Sequence, residues 1–395
     1  MPRNVKTRVL FVVPNVTSYS SFLREVSAAM SVSGFDVHCA CDTRPLWPAP
    51  DAGVAETAAF HYIPMPRGMD VRAHRAASLA LRRLVDDLQP EVIHAHFSAA
   101  VFTTALAQRP QWPATLATFH GLTFPVATGM KRSLMRVAEG WAARRFARTS
   151  VLTDDDRLAL QHATGMRSVV REPGFGVGCD LRRFDARRFA EESCAGLRSQ
   201  LGIGHDDFVV TFVGRFTAFK GFADVCRGFV QAGRTNPRLR LLLVGERDAI
   251  HSTGLPATEL DALLGSARVI QVGWQPATDE YLAISDVVAL PSRREGMPVC
   301  LMEALAMGIP VVTAATRGCR DVVRDGIDGF VLSRCGPSEI ARAIEALASN
   351  VALHRRFAEN ARAARQRFDR HGFVAHQLKV YSHIVSGADY ETIAS

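Results

Sequence analysis

Short aliphatic runs, each ending in a glycine, proline or small polar residue and each followed by an amphipathic stretch, recur along the 395-residue chain. VKTRVLFVVPN (5–15) leads into SSFLREVSAAMSVSG (20–34), which stops at Gly34 and gives way to FDVHCACD (35–42). Apolar runs of this length read as strands, and apolar positions three and four apart read as helix. Strand, helix and strand in succession imply parallel pairing, because a crossover must carry the chain back before each new strand. The rhythm continues through HRAASLALRRLVDDLQP (74–90, helix), EVIHAHF (91–97, strand), AAVFTTALAQR (99–109, helix), ATLATFHG (114–121, strand), KRSLMRVAEGWAARRFAR (131–148, basic helix) and TSVLTDDDR (149–157, a strand with a helix cap).

RSVVREPGFGVGCDLRRFD (167–185) then runs from a strand into a glycine-rich segment. From DFVVTFVGRF (207–216) the rhythm starts afresh and continues to DGFVL (328–332), with closing helices at about 337–348 and 351–368. A chain of this length exceeds one ordinary core. The expected fold is α/β, two Rossmann-like domains facing each other across a cleft, residues 1–178 and 179–370, joined near 172–185. In open parallel sheets ligands sit beyond the carboxyl ends of the strands. The loops of interest are then Pro14–Ser21, His120–Gly121, Gly214–Gly221, Gly245–Arg247 and Ser292–Pro298.

Charge and cysteine usage narrow the function classes. Net charge is +8, and residues 1–185 hold 22 Lys+Arg against 16 Asp+Glu while the remainder is nearly balanced. A basic first half can attract nucleic acid, anionic lipid or a phosphorylated substrate, or be a solvated surface and no more. The eight cysteines form no C-x-x-C pair, and several sit in apolar stretches as small hydrophobes. No zinc-ligand spacing is present. No leader is expected before the first strand, and no apolar run reaches the ~20 residues of a membrane helix. The cytosol is the expected compartment.

REGMPVCLMEALAMGIPVV (294–312) follows the strand DVVAL and places Glu295 and Glu303 eight residues apart. Pro298 suits a first helical turn, where its missing N–H would be unpaired anyway. Gly296 lets the backbone come close to a ligand, and the free N–H groups at a helix start suit phosphate. At 100° per residue Leu301 and Leu305 share a side and Glu303 points away from them. A carboxylate there can accept from the two hydroxyls of a ribose. In FVGRFTAFKGF (212–222) Arg215 and Lys220 lie in a loop after a strand, with Gly214 and Gly221 flanking. Two cations so placed can neutralise a diphosphate. Taken singly, each has an ordinary alternative: an exposed helix position for Glu303, solvated surface for the cations.

As a set, these residues resemble the E-x7-E signature and the G-R…K-G segment of family 4 retaining glycosyltransferases of the GT-B fold, near the group acting in bacterial capsule, O-antigen and lipid-linked glycan assembly. RGCRDVVRDGIDGFVL (317–332) and GFGVGCDLRRF (174–184) resemble further segments of that family, the latter with Gly178-Cys179 inserted. The resemblance covers nearly the whole chain and is strongest over 208–335. It implies retaining, metal-independent transfer of a hexosyl or N-acetylhexosaminyl group from a UDP-sugar to a glycan acceptor on a polyprenyl-diphosphate lipid. By the resemblance, Arg215 and Lys220 hold the diphosphate, Glu295 contacts the donor sugar and Glu303 the ribose. Amides near Gly296, Met297 and Pro298 assist, Gly214 and Gly245 line the donor, and His120 of ATFHG faces the transferred sugar, while from its own position it reads equally as a strand-end histidine held by backbone groups. A C-terminal helix at about 371–386 crosses back to the first domain. No cofactor, metal or nucleic-acid partner is expected, and the implied location is the cytoplasm or the inner face of its membrane.

Several features stand apart. Ser20 and Ser21 lie where many family members carry paired glycines, and can donate hydrogen bonds in their place. His94 and His96 alternate with apolar residues and read as structural. Asp154 and Asp156 form a D-x-D pattern that reads as helix capping. The segment 131–148, with Leu134, Val137, Trp141 and Phe146 among its basic residues, can rest on anionic membrane through Lys131, Arg132 and Arg136. It can equally pack on the sheet with a basic outer face. An NAD(P)-dependent oxidoreductase requires G-x-G-x-x-G after the first strand, and VPNVTSYS lacks it. A non-catalytic sugar-nucleotide-binding protein of the same fold is the other alternative. Intact Arg215, Lys220, Glu295 and Glu303 argue against it.

Overall fold

The chain divides into two compact units, Met1–Val177 with His371–Ser395, and Gly178–Arg370. The computed structural model describes residues 6–44, 56–66, 68, 70–248 and 251–386.

The first unit is built on strands β1 (Thr7–Asn15), β2 (Phe35–Asp42), β3 (Ala59–Tyr62), β4 (Val92–His96), β5 (Ala114–Phe119), β6 (Arg148–Val151) and β7 (Val169–Arg171). Among the described residues they form one seven-stranded sheet, in the order β3-β2-β1-β4-β5-β6-β7. Every pairing is parallel. Val9 to Val13 of β1 are all fully buried, because helices cover both faces of such a sheet. Alternate residues serve opposite cores. Leu10 and Val12 pack with α3 (Val71–Leu88), α4 (Ser98–Ala107), α5 (Gly129–Ala143) and α6 (Asp154–Thr164). Val9, Phe11 and Val13 pack with α1 (Val16–Phe22), α2 (Arg24–Val32) and the C-terminal α15 (Arg370–Ser386).

No loop follows β1: Asn15 is extended and its side chain accepts from Ser18 N at 2.8 Å, so α1 starts at once. Ser20 and Ser21 therefore lie inside a helix and do not form a glycine-like phosphate loop. The basic segment 131–148 is not one helix. Phe146 is buried and draws the chain inward after Ala143. Arg144 and Arg145 donate to the carbonyls of Thr164 and Ala105, and Arg148 lies buried in β6.

The second unit opens with α7 (Glu191–Gln200). It alternates β8 (Phe208–Val213), α8 (Phe222–Ala232), β9 (Leu239–Val244), α9 (Ala257–Leu264), β10 (Val269–Gly273), α10 (Thr278–Ala283), β11 (Val287–Leu290), α11 (Val299–Ala306), β12 (Val311–Ala314), α12 (Cys319–Val322) and β13 (Gly329–Leu332). α13 (Pro337–Ser349) and α14 (Val351–Ala363) close it. Its six-stranded sheet runs β10-β9-β8-β11-β12-β13, again parallel throughout. Leu301 and Leu305 of α11 are fully buried, each worth roughly 1.5–3 kcal/mol of transfer free energy. Pro298 sits one position earlier than expected, at the N-cap and not inside the first turn. At the unit's margin, Cys179 N donates to Phe368 O and Arg370 N to Cys179 O, so its first and last residues run side by side.

All eight cysteines are free. No helix among the described residues is long and apolar enough to cross a membrane.

Candidate functional site

In the second sheet the strand order reverses between β8 and β11. That reversal opens a crevice beyond the strand ends, the place where doubly wound sheets bind ligands. Arg215 and Lys220 leave the end of β8, and Glu295 leaves the end of β11. Lys220 Nζ donates to Glu295 Oε1 at 2.5 Å, with the two side chains only 19% and 10% exposed. Burial disfavours the Lys220 ammonium, yet the Glu295 carboxylate beside it holds its pKa above the ordinary value. Arg215 is exposed, pairs with Asp248 beyond β9 and lies over the Phe219 ring. Both predicted cations are thus already matched by carboxylates. A diphosphate would meet an organised, internally neutralised cradle.

Close backbone approaches bring the loops together. Gly245 has φ +139, and a Cβ there would lie 2.1 Å from Gly214 O, so the ends of β8 and β9 touch only because Gly245 lacks a side chain. Arg293 N donates to Phe219 O at 2.7 Å, and Arg293 pairs with Asp224 of α8 at 2.8 Å. A third loop, after β12, was missed from sequence. Gly318 (φ +76) would place a Cβ 2.3 Å from Gly296 O, and Thr316 Oγ1 donates to Ser292 O at 2.8 Å. The signal for it was present in TRGCRD, a glycine three residues before an aspartate, where Gly318 N donates to Asp321 Oδ2. Asp248 was missed as well, and nothing in its local sequence marks it as the partner of Arg215.

Met297 is buried while Glu295 and Gly296 are half-buried. Glu303 lies on the second turn of α11, half-buried, on the side opposite the core leucines. Burial pushes its carboxyl up to about 7, with Arg370 and Arg183 pulling down and Asp279 pushing up. Cys300 is pushed up to about 12 by burial, which leaves its thiol protonated and unreactive.

His120 belongs to the first unit. It follows β5, with Phe97 stacked on its ring at 4.2 Å and 18° and Phe22 edge-on at 4.9 Å. Phe97 holds φ +71 without being glycine, a strained conformation that packing must sustain. His96 Nδ1 and His120 Nε2 are 3.1 Å apart. His94 is bonded on both nitrogens, to Tyr381 OH at 2.7 Å and Thr118 Oγ1 at 2.8 Å. Burial pushes His94 and His120 down to about 3. The segment after His120 hangs on two carboxylates. Glu139 accepts from Thr123 N and Phe124 N, and Asp156 from Leu122 N. Asp154 pairs with Arg157 and Arg171, and Thr153 is the residue that caps α6. The D-x-D residues are therefore committed to the fold. No group of three or more His, Cys, Asp or Glu among the described residues is placed to hold a metal ion.

Two parallel Rossmann-like sheets, the second with glycine-lined strand ends that gather two cations and a helix start, define a GT-B protein. The Glycosyl transferases group 1 model matches residues 196–364, and the Glycosyl transferase 4-like domain model matches residues 19–173. The chain belongs to the family-4-type glycosyltransferases of the GT-B fold. It is 25% identical over 356 residues to EpsD of Bacillus subtilis, which carries a glycosyltransferase name, covering 88% of this chain and 89% of that one. It is 30% identical over 279 residues to the D-inositol 3-phosphate glycosyltransferase of Geodermatophilus obscurus, covering 65% of this chain and 59% of that one. Among solved structures, HepE of Anabaena in complex with UDP superposes with a TM-score of 0.74 at 20% identity, covering 95% of this chain and 100% of that one.

Proposed function

We propose that this glycosyltransferase moves a hexosyl or N-acetylhexosaminyl group from a UDP-sugar to a glycan acceptor, with retention and without a metal ion. The carrying observation is the Lys220–Glu295 pair at the switch point of the second sheet, between exposed Arg215 and the start of α11. The donor diphosphate takes the place of Glu295 on Lys220 and recruits Arg215. Glu295 is then released toward the donor sugar. Glu303 accepts from the ribose hydroxyls, amides at Gly296 to Pro298 assist, and Gly214 and Gly245 let the donor lie against bare backbone. The acceptor hydroxyl attacks the anomeric carbon on the face from which UDP leaves. The bond from that carbon to the diphosphate oxygen breaks, and the departing phosphate takes the acceptor's proton. Two fixed cations offset the developing charge as a metal does elsewhere. His120 faces the transferred sugar. HepE, solved with UDP and with UDP-glucose, supports a UDP-linked donor.

The acceptor reading is a sugar on a polyprenyl-diphosphate lipid in bacterial surface-polysaccharide assembly, reached from the cytoplasmic face of the membrane. Its support is α5. Met130, Leu134, Val137 and Trp141 are 88%, 54%, 69% and 36% exposed. Their spacing of four, three and four puts them on one ridge. Lys131, Arg132 and Arg136 flank it, all exposed. An apolar ridge with basic flanks suits an anionic bilayer surface better than the basic outer face of an ordinary packed helix.

A donor screen scoring UDP and GDP release tests the site, with Lys220→Ala and Glu303→Ala as controls. Turnover that stayed unchanged in both variants would sink the assignment.

A further inference from the structure

We infer that Arg365 is a positioning residue that fastens the end of α11 to both places where the chain passes between the units, so that a donor bound on α11 steadies those passages as well. The functional half of this inference rests on the reading that Glu303 and the start of α11 hold the donor.

The chain enters the second unit at Val177–Gly178 and leaves it at Arg370–His371. Within that unit the two passages lie side by side: Cys179 N donates to Phe368 O at 2.8 Å and Arg370 N to Cys179 O at 3.2 Å. Gly178 permits this at φ +59, since a Cβ there would lie 2.5 Å from Phe368 O. Arg365 opens the short turn that ends at Phe368, and its guanidinium bonds in two directions. Nε donates to the carbonyl of Ala306, the last residue of α11, at 3.0 Å. Nη2 donates to Leu181 O and Phe184 O at 2.8 and 2.7 Å, and Nη1 to Asp185 Oδ2 at 3.2 Å. A planar fork can serve three carbonyls and a carboxylate at once, which the compact ammonium of a lysine cannot. Ala306 O is one of the orphan carbonyls of a helix end, where the dipole also favours a cation. Capping α11 would take only that bond; the others reach the passage at 181–185. α11 is about 12 Å long, short enough to move as one body. Glu303 stands on it three residues before Ala306, and its carboxyl feels Arg370 and Arg183, one cation from each passage. The side chain that takes the ribose and the end of the same helix are thus both tied to the passages, the first through charge and the second through Arg365.

Hydrogen exchange of the full chain, with and without UDP, tests this. In the wild type, UDP at ten times its Kd should slow exchange at the donor loops 215–220 and 295–303 and also at 178–185 and 366–370, by up to about tenfold. In Arg365→Gln the slowing at the donor loops should persist, with UDP affinity by calorimetry within about twofold of wild type, while the slowing at the passages is lost. Arg365→Lys should behave like Arg365→Gln, because the charge without the fork cannot hold both sides. A wild type in which UDP slows the donor loops and leaves the passages untouched overturns the proposal even if the variants do not fold. So does an Arg365→Gln variant that keeps the slowing at the passages. UDP that slows exchange nowhere would instead sink the donor reading. The fastening is then decided without ligand: Arg365→Gln should speed exchange at 178–185, and an unchanged rate there overturns it.

Discussion

The two sheets share a winding pattern but arm their strand ends differently. Beyond β8 and β11 the second unit gathers formal charges, Arg215 with Asp248 and Lys220 with Glu295, around glycines that let loops touch. Beyond β4 and β5 the first unit gathers neutral rings, His96, Phe97 and His120, with Phe22 against them. Charged strand ends suit a diphosphate and neutral rings suit hydroxyls, the division that the proposed function uses. A diphosphate leaving group needs fixed cations, whereas sugar hydroxyls need directed neutral hydrogen bonds and shape.

The widest gap between the units should appear on deleting the charge. Lys220→Ala is expected to lower kcat by roughly 10²–10³-fold, the usual loss when one preorganised charge stabiliser is removed. His120→Ala should cost less, about tenfold, the loss of one hydrogen bond to the sugar. Steady-state rates with a saturating donor check both. Equal losses would break the division between a charged and a neutral half.

Next comes the backbone that shapes the charged half. In Gly245→Ala the new methyl meets Gly214 O at 2.1 Å, at a φ of +139 that other residues avoid. Thermal unfolding should reveal a loss of about 2–4 kcal/mol, together with weaker UDP binding by calorimetry. A variant as stable as the wild type would mean that the ends of β8 and β9 can separate freely.

The same contrast governs what could be read in advance. Charge in loops at strand ends leaves spaced letters: Arg215, Lys220, Glu295 and Glu303 each stand next to a glycine or on a short helix. The alternation of strands and helices was legible because parallel sheets bury both faces, so β1 reads as an unbroken apolar run. The first unit's cluster leaves no such spacing. Phe97 reaches His120 only by adopting φ +71, which no residue type announces. Phe22 comes from a helix break at Leu23 that periodicity smoothed over. Tyr381, 287 residues from His94, bonds to it through the packing of α15. The wrong start of α1 and the overlong basic helix were boundary errors, made where one side chain, Asn15 or Phe146, decides against the run of its neighbours.

The α5 ridge extends the contrast to the surface of the first unit. Leu134→Glu with Val137→Glu should weaken binding to anionic vesicles by at least about 100-fold, since each removes an apolar group worth ~1.5–3 kcal/mol when buried. Lys131→Gln with Arg132→Gln should weaken it less, ~1 kcal/mol per charge, and lose most of its effect in high salt. Co-sedimentation with vesicles of anionic and of neutral lipid separates the two terms. Wild-type binding with no dependence on anionic lipid would remove α5 from the membrane.

The smallest expected effect sharpens the role of Glu303. Burial lifts its carboxyl from the ordinary 4.5 to about 7, so near neutrality the free protein is a mixture of acid and carboxylate. A ribose diol needs the carboxylate, because a protonated carboxyl spends one oxygen as a donor. Donor KM should therefore fall as pH rises through 7, by up to about tenfold between pH 6 and 8, and the dependence should appear in kcat/KM, which reports the free enzyme. The stability consequence has the opposite sign. The folded-state pKa lies above the unfolded value, so between pH 4.5 and 7 the native state binds more protons than the unfolded chain. Stability from this group is complete below 4.5 and declines as pH rises through 7. Glu303→Gln should flatten both profiles at once, raising the melting temperature relative to wild type at pH 8 while weakening donor binding there. A wild-type KM constant from pH 6 to 8, or a Gln variant with the wild-type pH profile, would show that Glu303 does not receive the ribose.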